Sequence, residues 1–113
     1  MFISRKGVNA LNLFTERVIR IIKGIPMGHV MTYGQIAAAA GSPRGARQVV
    51  RVLHSMSEKY KLPWHRVINA QGEISYTAGD QREMLEMEGI QFGRSGKVNL
   101  EVYRWFPPDN EEG

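Results

Sequence analysis

The residues best suited to chemistry are a short string and one distant carboxylate. His65 follows Pro63 and Trp64 and precedes Arg66, and Glu88 could orient its imidazole from a later helix. An imidazole can give or take a proton near neutrality, so this pair suits acid–base work, and it equally suits a structural hydrogen-bonded pair. Nothing beside it is a credible nucleophile, because the chain contains no cysteine. That absence excludes disulfides, thiol nucleophiles and thiolate metal sites together. His29, His54 and His65 have neither HxH nor HxxxH spacing, so no metal and no cofactor are expected.

A second constellation is basic. Arg44, Arg47 and Arg51 recur at intervals of three and four, which places them on one helix face suited to phosphates. Gly45 and Ala46 beside Arg47 are small enough to let backbone approach a phosphate. Tyr33 has two roles open to it, as a partly buried core ring or as a hydroxyl near a phosphate at a helix start. Trp64 is large for a proline-marked turn. Core packing accounts for many such indoles, and stacking against a base taken out of its duplex accounts for others.

Helices must position these groups. Phe14, Val18, Ile21, Ile22 and Ile25 recur at helical spacing and predict an amphipathic helix from Leu11 to Ile25, stopped by Gly24 and Pro26. Thr32 with Gln35 reads as a capping box opening a short helix through Ile36 to Ala40. Gly41 closes it, Ser42 supplies an N-cap, and Pro43 begins a third helix running to about Met56. Its inward stripe is Ala46, Val49, Val50, Leu53 and Met56. Two capped helices across a tight turn, the second with a basic face, make a helix-turn-helix. His65 to Asn69 and the return at Gly72 to Ser75 suggest a hairpin wing, and Asp80 with Glu83 suggests a capping box for a helix ending at Gly89.

The expected fold is therefore mainly α with a small β-hairpin, a winged helix-turn-helix in a single domain over residues 1–113. Its core covers about 10–92, and 93–113 form a tail that includes the apolar, aromatic segment Val98 to Phe106. The 113 residues, 42% hydrophobic and 23% charged, suit one folded domain. The net charge of +4 suits a polyanionic partner. Arg44, Arg47, Arg51, Lys59, Lys61 and Arg66 fall together in the middle of the chain, which points to a basic face. With no apolar run of spanning length and no signal-like start, a cytoplasmic protein without a membrane partner is expected, nucleoid-associated if prokaryotic.

The string Pro63, Trp64, His65, Arg66, Val67, Ile68 resembles the active-site motif of the O6-alkylguanine-DNA alkyltransferases, with tryptophan where those enzymes carry cysteine. That replacement is similar to the alkyltransferase-like proteins of the same family. The resemblance extends through Gly28 to Gln35 and Ala40 to Arg47, and ends near Glu88 and Gly89. Met56 departs from it where the repair enzymes have a hinge asparagine, as do Tyr76 and Thr77 where some alkyltransferase-like proteins place an arginine.

The resemblance implies the fold of the alkyltransferase C-terminal domain and a monomer that recognises O6-alkylguanine in double-stranded DNA without repairing it. Arg47 would intercalate as a finger and Tyr33 would push on the adjacent phosphate, with the recognition helix in the minor groove. Ser42, Arg44, Gly45, Ala46 and Arg51 would contact DNA around them. The flipped guanine would lie among Leu53, Trp64, Val67 and the loop Tyr76, Thr77, Ala78 and Gly79. His65 and Glu88 would survive as a relict relay, so no catalytic residue is expected, and the complex would be handed to nucleotide excision repair proteins. Two other functions are open: hydrolysis of a flipped base through His65 and Glu88, and sequence-specific regulation by a winged helix.

Overall fold

The computed structural model describes residues 12–74 and 80–108. Tyr76, Thr77, Ala78 and Gly79 of the expected lesion pocket lie outside the described residues, as do Leu11 and Ser75.

The first helix, α1, spans Leu13–Gly24, and Asn12 caps it by accepting a hydrogen bond from the Thr15 N–H at 2.8 Å. Its apolar stripe buries Val18, Ile19 and Ile22. Strand β1, Met31–Thr32, leads into helix α2, Tyr33–Ala39. The expected capping box is present there: Thr32 Oγ1 accepts from the Gln35 N–H, and Gln35 Oε1 accepts from the Thr32 N–H.

Helix α3 spans Ala46–Tyr60, so it begins and ends later than expected. Ser42 is not its N-cap. The chain first makes a separate turn, in which the Gly45 N–H donates to the Ser42 carbonyl at 2.8 Å, and the helix starts only after it. Gly45 takes the cap position without a side-chain hydrogen bond, and Lys61 ends the helix in the left-handed region. Val49 and Val52 are its buried residues; Leu53, Met56 and Tyr60 pack partly buried beside them.

The β structure differs from the expected hairpin. Trp64–Arg66 form a turn of 3₁₀ helix, and strand β2, Val67–Ile68, pairs in parallel with β1, Met31 opposite Val67 and Thr32 opposite Ile68. Both residues of each strand are buried, the pattern of a strand covered on two faces rather than of an exposed wing. The chain does turn back between Asn69 and Glu73, yet Gly72 bonds onward to the Val98 N–H instead of completing a ladder with β2.

Helix α4 spans Gln81–Met87 and α5 spans Leu100–Tyr103. Asp80 precedes α4 without a side-chain cap, because its own backbone is already helical, whereas capping acceptors sit in extended conformation. The segment after residue 92 is stitched to the core: the Val30 N–H donates to the Tyr103 carbonyl, the Trp105 N–H donates to the Val30 carbonyl, and Gln35 Nε2 donates to the Trp105 carbonyl at 2.7 Å. One apolar cluster lies among α1, α2 and α3, and a second joins Val30, Ile68, Leu85, Ile90 and Val98. Among the described residues no helix is long and apolar enough to cross a membrane.

Candidate nucleic-acid interface

The turn between α2 and α3 sets the basic face. Arg44 is exposed in the turn, Arg47 in the first turn of α3, and Arg51 one turn further on. Gly45 is buried at the start of the helix, where a Cβ would lie 3.0 Å from Phe14 Cζ and 3.1 Å from the Ser42 carbonyl oxygen. A Cβ there would make the Phe14 ring and the Ser42 turn give by a few tenths of an ångström, so a residue without a side chain fits this close approach at the start of the arginine-bearing helix. Ser42 and Ala46 are half-buried beside it.

Tyr33 is the first residue of α2 and packs half-buried against the main core. Burial raises its phenol above the ordinary 10.0, which keeps the hydroxyl a proton donor at neutral pH. The core packing and the helix-start position both hold.

Trp64 heads the 3₁₀ turn and is half-buried, and neither core cluster includes it. Its ring meets that of His65 edge to face, with centroids 6.0 Å apart. Leu53 and Val67 belong to the main cluster, Val67 almost fully buried. The Val67 carbonyl accepts from Gln81 Nε2 at 3.1 Å, and the His65 carbonyl from the same nitrogen at 3.0 Å. This buried glutamine, unmarked in the sequence, holds the Trp64 to Val67 segment against α4.

His65 and Glu88 do meet. His65 Nε2 donates to Glu88 Oε2 at 2.7 Å, and Arg66 Nη2 donates to the same oxygen at 2.7 Å. The other oxygen accepts from the Gly28 N–H at 2.9 Å and Arg66 Nε at 3.0 Å. Burial alone would raise the Glu88 carboxyl, but the hydrogen bonds from Arg66, Gly28 and His65, with the His65 charge, outweigh it and bring it down from 4.5 to about 2. A carboxylate so held is a weak base that orients an imidazole. His65 Nδ1 is buried without a hydrogen-bond partner among the described residues.

Arg66 is thereby removed from the expected basic face. It is half-buried, paired with Glu88, and donates from Nη1 to the Ile25 carbonyl at 2.9 Å. Sequence reasoning also missed Arg17, exposed on α1, whose Nη1 approaches the Ala40 carbonyl at 3.4 Å at the end of α2. Among the described residues no cluster of His, Asp or Glu could hold a metal ion.

The chain is 50% identical over 95 residues to a DNA base-flipping protein of Escherichia coli, covering 81% of this chain and 74% of that one. It is 40% identical over 103 residues to alkyltransferase-like protein 1 of Schizosaccharomyces pombe, covering 83% and 95%. The crystal structure of the latter in complex with damaged DNA containing O6-carboxymethylguanine superposes with a TM-score of 0.72 at 36% identity, over 95% of this chain and 100% of that one. Residues 13–90 match the family model described as 6-O-methylguanine DNA methyltransferase, DNA binding domain, and the chain belongs to that family.

Proposed function

We propose that this protein is a non-enzymatic reader of O6-alkylguanine in duplex DNA. In this reading α3 docks in the minor groove, Arg47 enters the base stack, Tyr33 presses on the neighbouring phosphate, and the extruded guanine rests beside Trp64. Ser42, Arg44, Gly45, Ala46 and Arg51 hold the flanking backbone, and Leu53 gives the pocket an apolar wall that accepts an alkyl group, with the buried Val67 packed behind it. The observation that carries the reading is Trp64 at the head of the turn leading into a complete His65–Glu88 pair, in a chain without a thiol for that pair to deprotonate. The base-flipping name of the bacterial relative and the lesion in the yeast complex support it. The protein acts as a monomer wherever the genome is held, cytoplasmic and nucleoid-associated in a prokaryote, and the bent complex is passed to nucleotide excision repair.

Flipping is tested with a fluorescent base analogue placed at the lesion position. Unstacking by the wild-type protein raises its emission, and Arg47→Ala abolishes the rise. Emission unchanged by saturating wild-type protein would contradict base extrusion.

A further inference from the structure

A second basic surface lies on the α1 side of α3. A groove of about 530 Å³ separates the two helices, with Asn12, Thr15 and Arg17 on one wall and Gln48, Arg51 and Ser55 on the other. Neither Trp64 nor His65 lines it, so it is separate from the lesion pocket. Its described lining contains two arginines and no carboxylate. Elsewhere in the described chain Arg66 is paired with Glu88 and Arg82 with Glu86. Neither Arg17 nor Arg51 makes a salt bridge among the described residues. Among the described residues, the hydrogen bond of Arg17 runs from Nη1 to the Ala40 carbonyl at 3.4 Å and leaves most of its guanidinium N–H groups free to donate.

We propose that this groove seats the phosphodiester backbone of one DNA strand, with Arg17 and Arg51 binding phosphates from opposite walls. A run of single negative charges is the partner that matches an acid-free groove whose rim carries two guanidinium groups with no carboxylate partner among the described residues. Because Arg51 follows Arg47 by one turn of α3, a strand in the groove would be continuous with DNA held by the Arg44 and Arg47 face. The proposal rests on α3 being the DNA-facing helix, and it extends the footprint onto α1, where Arg17 adds a contact that carries no sequence or lesion information.

The test is a titration of unmodified and O6-methylguanine duplexes over a series of salt concentrations, with the full chain, Arg17→Gln and Ser55→Glu. Removing one phosphate contact lowers the slope of log K against log salt by about 0.9. Arg17→Gln is expected to show that drop and to weaken both duplexes by the same factor, leaving their ratio unchanged. Ser55 is exposed, so Ser55→Glu puts a carboxylate in the groove without disturbing the core, and it should weaken both duplexes as well. Unchanged affinity and slope in both variants would overturn the groove assignment, even with lesion preference intact. Equal binding of the two duplexes by the wild type would overturn the lesion reading while leaving the groove result to stand.

Discussion

Glu88 Oε2 accepts a hydrogen bond from His65 Nε2 at 2.7 Å, joining the residue that ends α4 to the turn headed by Trp64. The same carboxylate takes the Gly28 N–H and the Arg66 guanidinium, so four donor groups from two separate segments converge on one side chain. This hub fixes the imidazole and the turn before it, whether or not any proton moves.

The hub has a pH signature. The folded carboxyl is lowered to about 2, so folding favours its charged form. Its stabilisation is complete above the ordinary value of 4.5 and fades as the pH falls from there toward 2. Glu88→Gln should cost ~3 kcal/mol at neutral pH, since it leaves the half-buried Arg66 guanidinium without its counter-charge, and should flatten the loss of stability between pH 5 and 2. Urea unfolding across that range checks this; an unchanged acid limb would contradict it.

The most local features were legible in the sequence. Thr32 and Gln35 are three residues apart and form their capping box, and the apolar spacing from Phe14 to Ile25 became α1. Non-local features were not. The pairing of Met31 with Val67 joins segments far apart in sequence, and nothing near either residue announces a parallel strand. Arg66 reads as one more cation until the fold brings Glu88 to it. Arg17 reads as an ordinary polar residue on an amphipathic helix, and only tertiary packing puts it across a groove from Arg51.

The seam between the Asn69–Glu73 turn and the later chain should be intolerant of side chains. A Cβ on Gly72 would lie 2.4 Å from the Val98 carbonyl oxygen, which is backbone and cannot swing away, and Gly72 has φ +82°. Gly72→Ala should therefore destabilise by more than about 1 kcal/mol, read as a fall in Tm. A melting temperature equal to wild type would contradict this.

Arg47 is exposed, so its removal should leave Tm within the small range typical of surface changes. Arg47→Ala should nevertheless weaken binding to lesion-containing and plain duplexes, by roughly tenfold or more. Binding as tight as wild type would contradict the finger role.

The complete His65–Glu88 pair raises the question of chemistry, which strand mass answers. With excess wild-type protein the lesion strand should keep its alkyl group and its base after prolonged incubation. Trp64→Cys should restore little transfer, because the space left by an indole holds the thiol poorly and an error of about 1 Å is costly. Loss of the alkyl group with wild type would establish an enzyme; rapid stoichiometric transfer to the new cysteine would refute the misplacement argument.

Lesion recognition itself is tested most directly by titrating unmodified and O6-methylguanine duplexes in parallel at two salt concentrations, since phosphate contacts dominate raw affinity. A preference for the lesion that persists at the higher salt is the predicted result. Equal binding of the two duplexes, collapsing together as salt rises, would contradict damage recognition and leave a basic DNA-binding domain.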